Sequence, residues 1–472
     1  MATENDNTTG EKVYLYSHAW PLFRGAVVAT IIGFVAALAV TLGSDEGITR
    51  FYHAYLVNFA FFLSIALGAL FFVLIQHLTR AGWSVAVRRM AEVLAAAMPA
   101  LAVAFAPIAV AVLVNHGELY PWANEADGQA AHITTHAPVN AGITPTSTQS
   151  TLATTSPAVH VETNSETMKS SHGHAETGAG YVFIDAHTEG YFSAKKRLYL
   201  NPAFFIARFA IYFLAWAGLA LWLWRKSTLQ DKTGDPALTT KMQGASAAGL
   251  WLFGITLTFG AFDLLMSLSP AWYSTIFGVY YFTGAVAAAF AAIIIILNLL
   301  QRRGYLIQSV TIEHYHDLGK FLFGFVFFWG YIAFSQYMLI WYASLPETTF
   351  WFAQRGASTD PAHYSGWSIV SLALLLGHFV IPFIGLLSRH AKRNTRALLF
   401  WACWVLVFHW IDLWWIVMPE MGTAVRFGLA EIATFVAIGG LFTATVVRLA
   451  AMHKLIPVND PRLSASMAFE NI

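Results

Sequence analysis

Residues 51–78 read FYHAYLVNFAFFLSIALGALFFVLIQHL and contain no Asp, Glu, Lys or Arg. Roughly 20 helical residues cross a hydrocarbon core about 30 Å thick, so this stretch is long and apolar enough to span a membrane. Apolar and polar residues do not alternate in it, as they would in a strand of a membrane barrel, and a helix is therefore predicted. Nine other segments pass the same test, at approximately 22–43, 88–114, 202–224, 246–268, 275–301, 317–345, 366–388, 397–418 and 426–450.

The composition leads to the same fold class. Of the 472 residues, 57% are hydrophobic and 11% are charged, whereas a soluble protein carries about 25% charged residues. We therefore predict an all-α membrane protein with about ten transmembrane helices. The net charge of +1 leaves no basic face for nucleic acid. The lone cysteine, Cys403, excludes an internal disulfide, a c-type haem attachment motif and a cysteine-held iron–sulfur cluster.

Basic residues are concentrated in alternate loops between the predicted spans. The connections after spans two, four, six and eight carry Arg80, Arg88, Arg89, Arg225, Lys226, Lys232, Lys241, Arg302, Arg303, Arg389, Lys392, Arg393 and Arg396. Cytoplasmic loops carry an excess of Lys and Arg, so both termini of this multi-pass protein are predicted to be cytoplasmic. The polar N-terminus, MATENDNTTGEK, lacks the basic and apolar regions of a signal peptide, and no cleaved signal peptide is expected.

One connection is much longer than the others and is rich in Thr, Ser, Ala and His. Such a composition cannot bury enough apolar surface to become ordered, so a flexible low-complexity loop is predicted. Its seven histidines include an HGH at 172–174, but no fixed metal-ligand spacing appears, and a metal site is not favoured. The predicted division is a cytoplasmic N-terminal segment at 1–21, helices 1–3 at 22–114, this periplasmic loop at 115–200, helices 4–10 at 201–452 and a cytoplasmic C-terminal tail at 453–472.

Several ionisable residues lie within the predicted spans. Each costs roughly 2.5–3.5 kcal/mol on membrane-insertion scales, so each is a functional candidate. Asp263, His409, Asp412 and Glu431 are placed in the outer half by the predicted topology. Asp412 and Glu431 are equally distant from the hairpin that joins spans nine and ten, so they are expected at the same depth. If the side chains on the two helices also point toward each other, the two carboxylates and His409 share one pocket that holds a proton.

A second group of ionisable residues is placed toward the cytoplasmic side. It consists of His77 and Glu92, which flank the hairpin between spans two and three, and of His316, Asp317 and Lys320 at the start of span seven. The polar residues between the two levels are His378, Ser335, Gln336, Tyr337, Tyr280 and Tyr281. Protons hop between groups that both accept and donate them. The acids and histidines in the outer half and toward the cytoplasmic side, with the polar residues between them, are therefore what two proton half-channels require.

Other interpretations of these residues remain open. Asp263 forms a structural ion pair if Arg208 is its partner, and Asp317 is favoured near a helix N-terminus by the helix dipole alone. A b-type haem held by His378 and His409 is not favoured, because the residues around His409 are bulky. The tryptophan-rich segment WACWVLVFHWIDLWW (401–415) is more typical of helix packing than of a quinone pocket.

Three long stretches carry a resemblance to a known family. They are YHAYLVNFAFFLSIALGALFFVLIQHLTRAGWSVAVRRMAE (52–92), FDLLMSLSPAWYSTIFGVYYFTG (262–284) and HDLGKFLFGFVFFWGYIAFSQYMLIWYASLPE (316–347). In these the chain resembles the ActF subunits of bacterial alternative complex III, which are NrfD/PsrC-like polytopic membrane proteins. The resemblance runs through nearly all ten spans and fails only in the 115–200 loop.

The resemblance implies a pair of four-helix bundles, spans two to five and six to nine, with two extra helices. It also implies a subunit of a respiratory quinol:cytochrome c (electron-acceptor) oxidoreductase in the bacterial inner membrane, with a role in proton translocation. The implied partners are a larger ActC-like paralogue, which is expected to bind the quinol, and multihaem cytochrome c and iron–sulfur subunits, which carry the haem c and the clusters. No cofactor is expected on this chain itself, and it is not expected to be catalytic alone.

Two rival functions remain open on the sequence alone. An independent proton-coupled secondary transporter with ten helices would also place polar residues at the midplane. A purely structural anchor for peripheral subunits would neutralise its buried acids with arginines such as Arg208.

Overall fold

The computed structural model describes residues 11–43, 47–114, 117–123, 196, 198–358 and 361–470. These residues contain ten helices that are long and apolar enough to cross a membrane and no β-strand, which confirms the predicted fold class. The helices are α1 (Tyr16–Leu42), α2 (Gly47–Leu78), α3 (Val85–Ala96, Met98–Ala104 and Ala106–Leu113), α4 (Pro202–Thr233), α5 (Ala237–Leu264), α6 (Phe277–Arg302), α7 (Ile312–Ala343), α8 (Gly366–Leu374, Leu375–Val380 and Ile381–Leu387), α9 (Thr395–Val417) and α10 (Leu429–Met452). Shorter helices lie at Met266–Leu268, Pro346–Gln354, Pro361–His363, Arg389–Arg393, Met418–Met421 and Leu463–Met467.

The ten helices form two bundles of four and one additional pair. Helices α2 to α5 pack around one another, and α6 to α9 form the second bundle. The additional pair, α1 and α10, packs along its length and lies against α2. Helix α2 also contacts α6 and α9, so it joins the two bundles to each other and to the pair.

Helix α2 is central because its sequence is apolar on every side, which suits a helix that is buried all round. Nearly all of its residues between Tyr52 and His77 are buried. Gly68 permits its closest contact with α6, since a Cβ at this position would lie 2.1 Å from the carbonyl oxygen of Ala285. The backbones of the two bundles therefore approach each other at Gly68.

The two termini lie at the same end of the protein, called the terminal end below. The backbone N–H of Leu455 donates to the carbonyl oxygen of Val13 at 2.8 Å. The C-terminal tail continues across the start of α3, where Ser466 donates to the carbonyl oxygen of Trp83 at 2.6 Å and Arg88 pairs with Asp460 at 2.7 Å. The tail therefore covers the helix ends rather than leaving the protein.

Most of the predicted 115–200 loop, including its HGH at 172–174, lies outside the described residues. One described part, 117–123, packs at the opposite end of the protein, called the far end below. Tyr120 donates to the carbonyl oxygen of Leu264 at 2.8 Å, and Trp122 donates to that of Ser267 at 3.1 Å. Both rings are buried, so this short part of the predicted loop is ordered against the end of α5.

Candidate functional site

Asp412 lies on α9 inside the second bundle and is 2% exposed. Tyr280 on α6 donates its hydroxyl hydrogen bond to one carboxylate oxygen, and the indole N–H of Trp329 on α7 donates to the other at 3.3 Å. Three helices thus converge on one carboxylate. Both donors are neutral, so they satisfy the oxygen atoms without supplying a compensating charge.

His409 lies three residues before Asp412 and therefore on the same face of α9. Its Nε2 lies 2.8 Å from the hydroxyl oxygen of Ser64 on α2. The Ser64 hydroxyl donates to the carbonyl oxygen of Phe61, so we assign the Nε2 proton to His409 and leave its Nδ1 as an acceptor. That Nδ1 is buried and has no hydrogen-bond partner among the described residues.

Gly284 on α6 makes the space that His409 occupies. A Cβ on this glycine would lie 2.8 Å from Cε1 and 2.9 Å from Nδ1 of the imidazole. Contacts shorter than 3.0 Å force a neighbour to move, and this neighbour is a ring held by α9. The glycine at this position therefore leaves the space that the imidazole needs, and the Ser64 contact holds the ring there.

His378 is held by an irregular turn of α8. Residues Leu375–Val380 form a π-helical turn, and Pro382 follows four residues after His378. A proline inside a helix removes an N–H and clashes with the carbonyl four residues before it, which is the reason for the local widening. Single π-helical turns are frequent at functional sites.

The His378 ring packs against that of Trp329 at a tilt of 32° with a centroid distance of 3.9 Å, and it lies 6.1 Å from the His409 ring. It is fully buried, and neither of its nitrogens has a hydrogen-bond partner within the described ranges. Buried polar atoms of this kind are normally satisfied by ordered water. We call Tyr280, Trp329, His378, His409 and Asp412 the central cluster.

Glu431 lies apart from this cluster, at the far end. Its two carboxylate oxygens accept from Nη2 of Arg50 at 3.1 and 3.2 Å, and one of them also accepts from the backbone N–H of Gly428 at 2.9 Å. Among the described residues no hydrogen bond joins Asp412 to Glu431, and the two carboxylates have different partners. Trp410, two residues before Asp412, lines a groove together with Glu431, Ile432 and Phe435 of α10, and Asp412 does not.

Asp263 has a cationic partner. Its oxygens accept from Nε and Nη2 of Arg208 at 2.8 and 3.0 Å, and Tyr212 donates to one of them at 2.9 Å. The guanidinium also lies over the ring of Tyr199, at 3.9 Å from the centroid. This geometry is that of the structural ion pair, with a bidentate contact of the kind that Arg forms best.

His77 and Glu92 both lie at the terminal end but have different surroundings. Glu92 pairs with Arg88 at 3.1 Å and with Arg89 at 3.2 Å, and Arg89 pairs in turn with Asp231 on α4. His77 is fully buried, and both its ring nitrogens lack a hydrogen-bond partner in the part of the chain that the structure describes.

The remaining predicted residues are not brought together with the central cluster by any hydrogen bond among the described residues. Asp317 pairs with Lys320 one turn later on α7, beside His316. Farther along α7, Gln336 accepts from Ser274 at 3.1 Å, and Tyr337 packs edge-on against Phe352 at 5.1 Å.

Arg355 and Glu420 were not predicted from the sequence. The Arg355 side chain is fully buried, donates to the carbonyl oxygens of Trp351, Trp415 and Ile416, and pairs with Glu420 at 2.8 Å. Burial lowers the pKa of Arg355 to about 10, and the Glu420 carboxylate partly opposes that shift. Trp415, whose carbonyl oxygen accepts from Arg355, follows Asp412 by three residues on α9, so the buried pair lies between the central cluster and the far end.

Asp412 differs from the other carboxylates on the ten helices in the partners of its side chain. Of the carboxylates on these helices as described, the others each have an arginine or lysine partner: Glu92, Asp231, Asp263, Glu313, Asp317 and Glu431. Asp412 has two neutral donors instead. It is therefore the carboxylate that can gain or lose a proton without breaking an ion pair.

Within the described ranges no three His, Cys, Asp or Glu side chains are grouped so that they could hold a metal ion. Comparison of the chain with models of known protein families and with curated proteins gave no match in either case.

Proposed function

We propose that this chain is an integral membrane subunit of a quinol:cytochrome c (electron-acceptor) oxidoreductase of the bacterial inner membrane, and that it contributes a proton path. The observation that supports the proton path is the central cluster, in which one buried carboxylate lies beside two buried imidazoles. Among the described residues the carboxylate has no cationic partner, and three of the imidazole nitrogens have no hydrogen-bond partner. The assignment to this complex is supported by the sequence resemblance described above.

The central cluster supplies the chemical groups that proton transfer needs. Asp412, His409 and His378 are each able to hold a proton, and the Tyr280 hydroxyl both donates and accepts. The unpartnered atoms, Nδ1 of His409 and both nitrogens of His378, leave hydrogen-bonding positions for internal water. A proton therefore moves within the cluster over short steps between groups that exchange it.

The cluster lies between two groups of charges. Toward the far end, the next charged groups are Arg355 and Glu420, and Glu420 accepts from Ser269 at 2.6 Å. Toward the terminal end, which is cytoplasmic in this proposal, buried His77 lies near Arg88 and Arg462. In the proposed cycle, redox reactions in partner subunits shift the helices slightly and connect the cluster alternately to each end.

The first experiment tests whether the chain belongs to the proposed complex. The full-length chain, tagged at its C-terminus, is extracted from its own membrane in mild detergent and run on a native gel stained for haem, and the band is identified by mass spectrometry. Co-migration with a c-type cytochrome and an iron–sulfur protein is the expected result. A colourless band that contains this chain alone contradicts membership of the complex and favours the secondary transporter.

A further inference from the structure

An apolar groove runs along the surface between α2, α9 and α10. Its volume is about 450 Å³, and it is lined by Phe61, Phe62, Ile65, Leu406, Val407, Trp410, Phe427, Glu431, Ile432 and Phe435. Val407, Phe427 and Ile432 are about half exposed. These residues lie on or directly beside membrane helices, so the groove opens sideways toward the bilayer.

A second, more polar cavity of about 190 Å³ lies at the far end of the same helices. Arg50 and Arg426 line it together with Trp367 and the loop between α9 and α10. The linings of the two cavities meet at the Arg50–Glu431 ion pair, because Arg50 lines the polar one and Glu431 lines the apolar one. The apolar groove therefore ends beside a cavity bordered by two arginines.

We propose that these two cavities bind one glycerophospholipid, with an acyl chain in the groove and the phosphate at Arg50 and Arg426. Apart from Glu431 the lining residues of the groove are apolar, so an acyl chain matches the groove and reaches it directly from the bilayer. The phosphodiester then lies at the depth where the headgroups begin. This inference does not depend on the proposed function.

The charges at the mouth of the groove suit a phosphodiester. Arg50 uses only Nη2 in its bonds to Glu431 and to the carbonyl oxygen of Arg426, and its buried Nε has no hydrogen-bond partner among the described residues. Of the other nearby carboxylates, Glu118 accepts from Thr49, and Glu420, between the lining residues Met418 and Met421, pairs with Arg355. Glu431 and Glu118 thus balance the charges of Arg50 and Arg426, so a singly charged phosphodiester that accepts from the guanidinium donors meets less repulsion here than a dianion would.

The test uses the full-length chain extracted with its native partners and a phosphatidylglycerol that carries a photoreactive group on one acyl chain. We expect cross-links on the groove-lining parts of α2, α9 and α10. Val407→Trp places an indole in the groove and should abolish these cross-links. Arg426→Gln removes one guanidinium and should weaken phosphatidylglycerol binding about fivefold.

Two matched controls separate this site from general lipid contact. Ile384→Trp adds an indole at an exposed position on α8, and Arg448→Gln removes an exposed arginine from the opposite end of α10; both should behave as the unchanged protein. Equal labelling of all lipid-facing helices, or unchanged labelling in Val407→Trp, would overturn the proposal. Displacement of the lipid by a short-chain ubiquinone, or by inorganic phosphate alone, would also overturn it by identifying a different occupant.

Discussion

Tyr280 donates a hydrogen bond to Asp412 across the contact between α6 and α9. The pair lies inside the second bundle, and the indole of Trp329 completes the coordination of the carboxylate. This arrangement holds Asp412 in place by neutral donors alone, so its negative charge is not fixed by a cation. The other acids on the ten helices, as far as the structure describes them, are held by arginine or lysine.

Asp412→Asn should therefore abolish proton transfer while leaving the fold intact. The amide oxygen still accepts from Tyr280, but the side chain no longer exchanges a proton. We expect proton release per electron, measured with a pH indicator on the purified complex in proteoliposomes, to fall to the background level. Glu347→Gln changes an acid on the short helix Pro346–Gln354 and should leave proton release unchanged. Normal proton release in Asp412→Asn would remove Asp412 from the path.

Gly284→Ala should displace His409, because the new methyl group would lie 2.8 Å from the imidazole. Overpacking of this kind costs about 1–3 kcal/mol of stability. The expected result is a lower free energy of unfolding in mixed micelles, together with reduced proton release. Gly254→Ala is the matched control, since a Cβ at this helical position meets nothing within 4 Å and alanine favours the helix. Equal effects of the two substitutions would show that the steric argument for Gly284 is wrong.

Asp263→Asn should act mainly on stability. Removing the charge leaves Arg208 buried opposite an amide, and breaking a buried ion pair costs about 3–5 kcal/mol. The double variant Arg208→Met/Asp263→Leu removes both charges and should recover most of the free energy of unfolding. If the double variant is stable but has lost proton release, Asp263 is a station of the proton path; normal release identifies it as part of a structural ion pair.

The spans were predictable from the sequence because hydrophobic length is a local property. Whether two side chains meet depends instead on how each helix is rotated about its axis. The sequence places His409 and Asp412 on one face of α9, and the structure keeps them together in the central cluster. Equal distance from a hairpin predicts a common depth for Asp412 and Glu431 but not a common face, and here Glu431 pairs with Arg50.

The π-helical turn of α8 and the burial of Arg355 had only weak signals in the sequence. Pro382, four residues after His378, indicates an interruption of α8, and the π-helical turn lies there. Arg355 follows the short helix Pro346–Gln354 in a connection between spans, where an arginine is ordinarily exposed to solvent. Its burial depends on contacts with α9 residues sixty positions later in the chain, such as the carbonyl oxygen of Trp415, and no local pattern reports such a contact.

The C-terminal tail should remain attached through mildly acidic pH. Burial by itself raises the pKa of Asp460, but the Arg88 guanidinium and the backbone N–H of Arg462 outweigh it and hold the pKa below the usual 3.8. A depressed pKa stabilises the folded state above the pKa of the unfolded chain, and this stabilisation is lost as the pH falls through the folded value. The protection of residues 453–470 against hydrogen exchange, relative to the intrinsic rate at each pH, should therefore stay high from pH 7 to about 5 and fall only below about 4.

Asp460→Asn tests the same contact at neutral pH. Among the described residues Arg88 then keeps only Glu92 as a carboxylate partner, and exchange in the tail should be fast at pH 7 as well. Glu470→Gln removes an exposed acid from the same tail and should leave exchange slow. A tail that exchanges rapidly at pH 6 in the unchanged protein, or an Asp460→Asn tail as protected as the original, would mean that contacts such as those of Ser466 hold it instead.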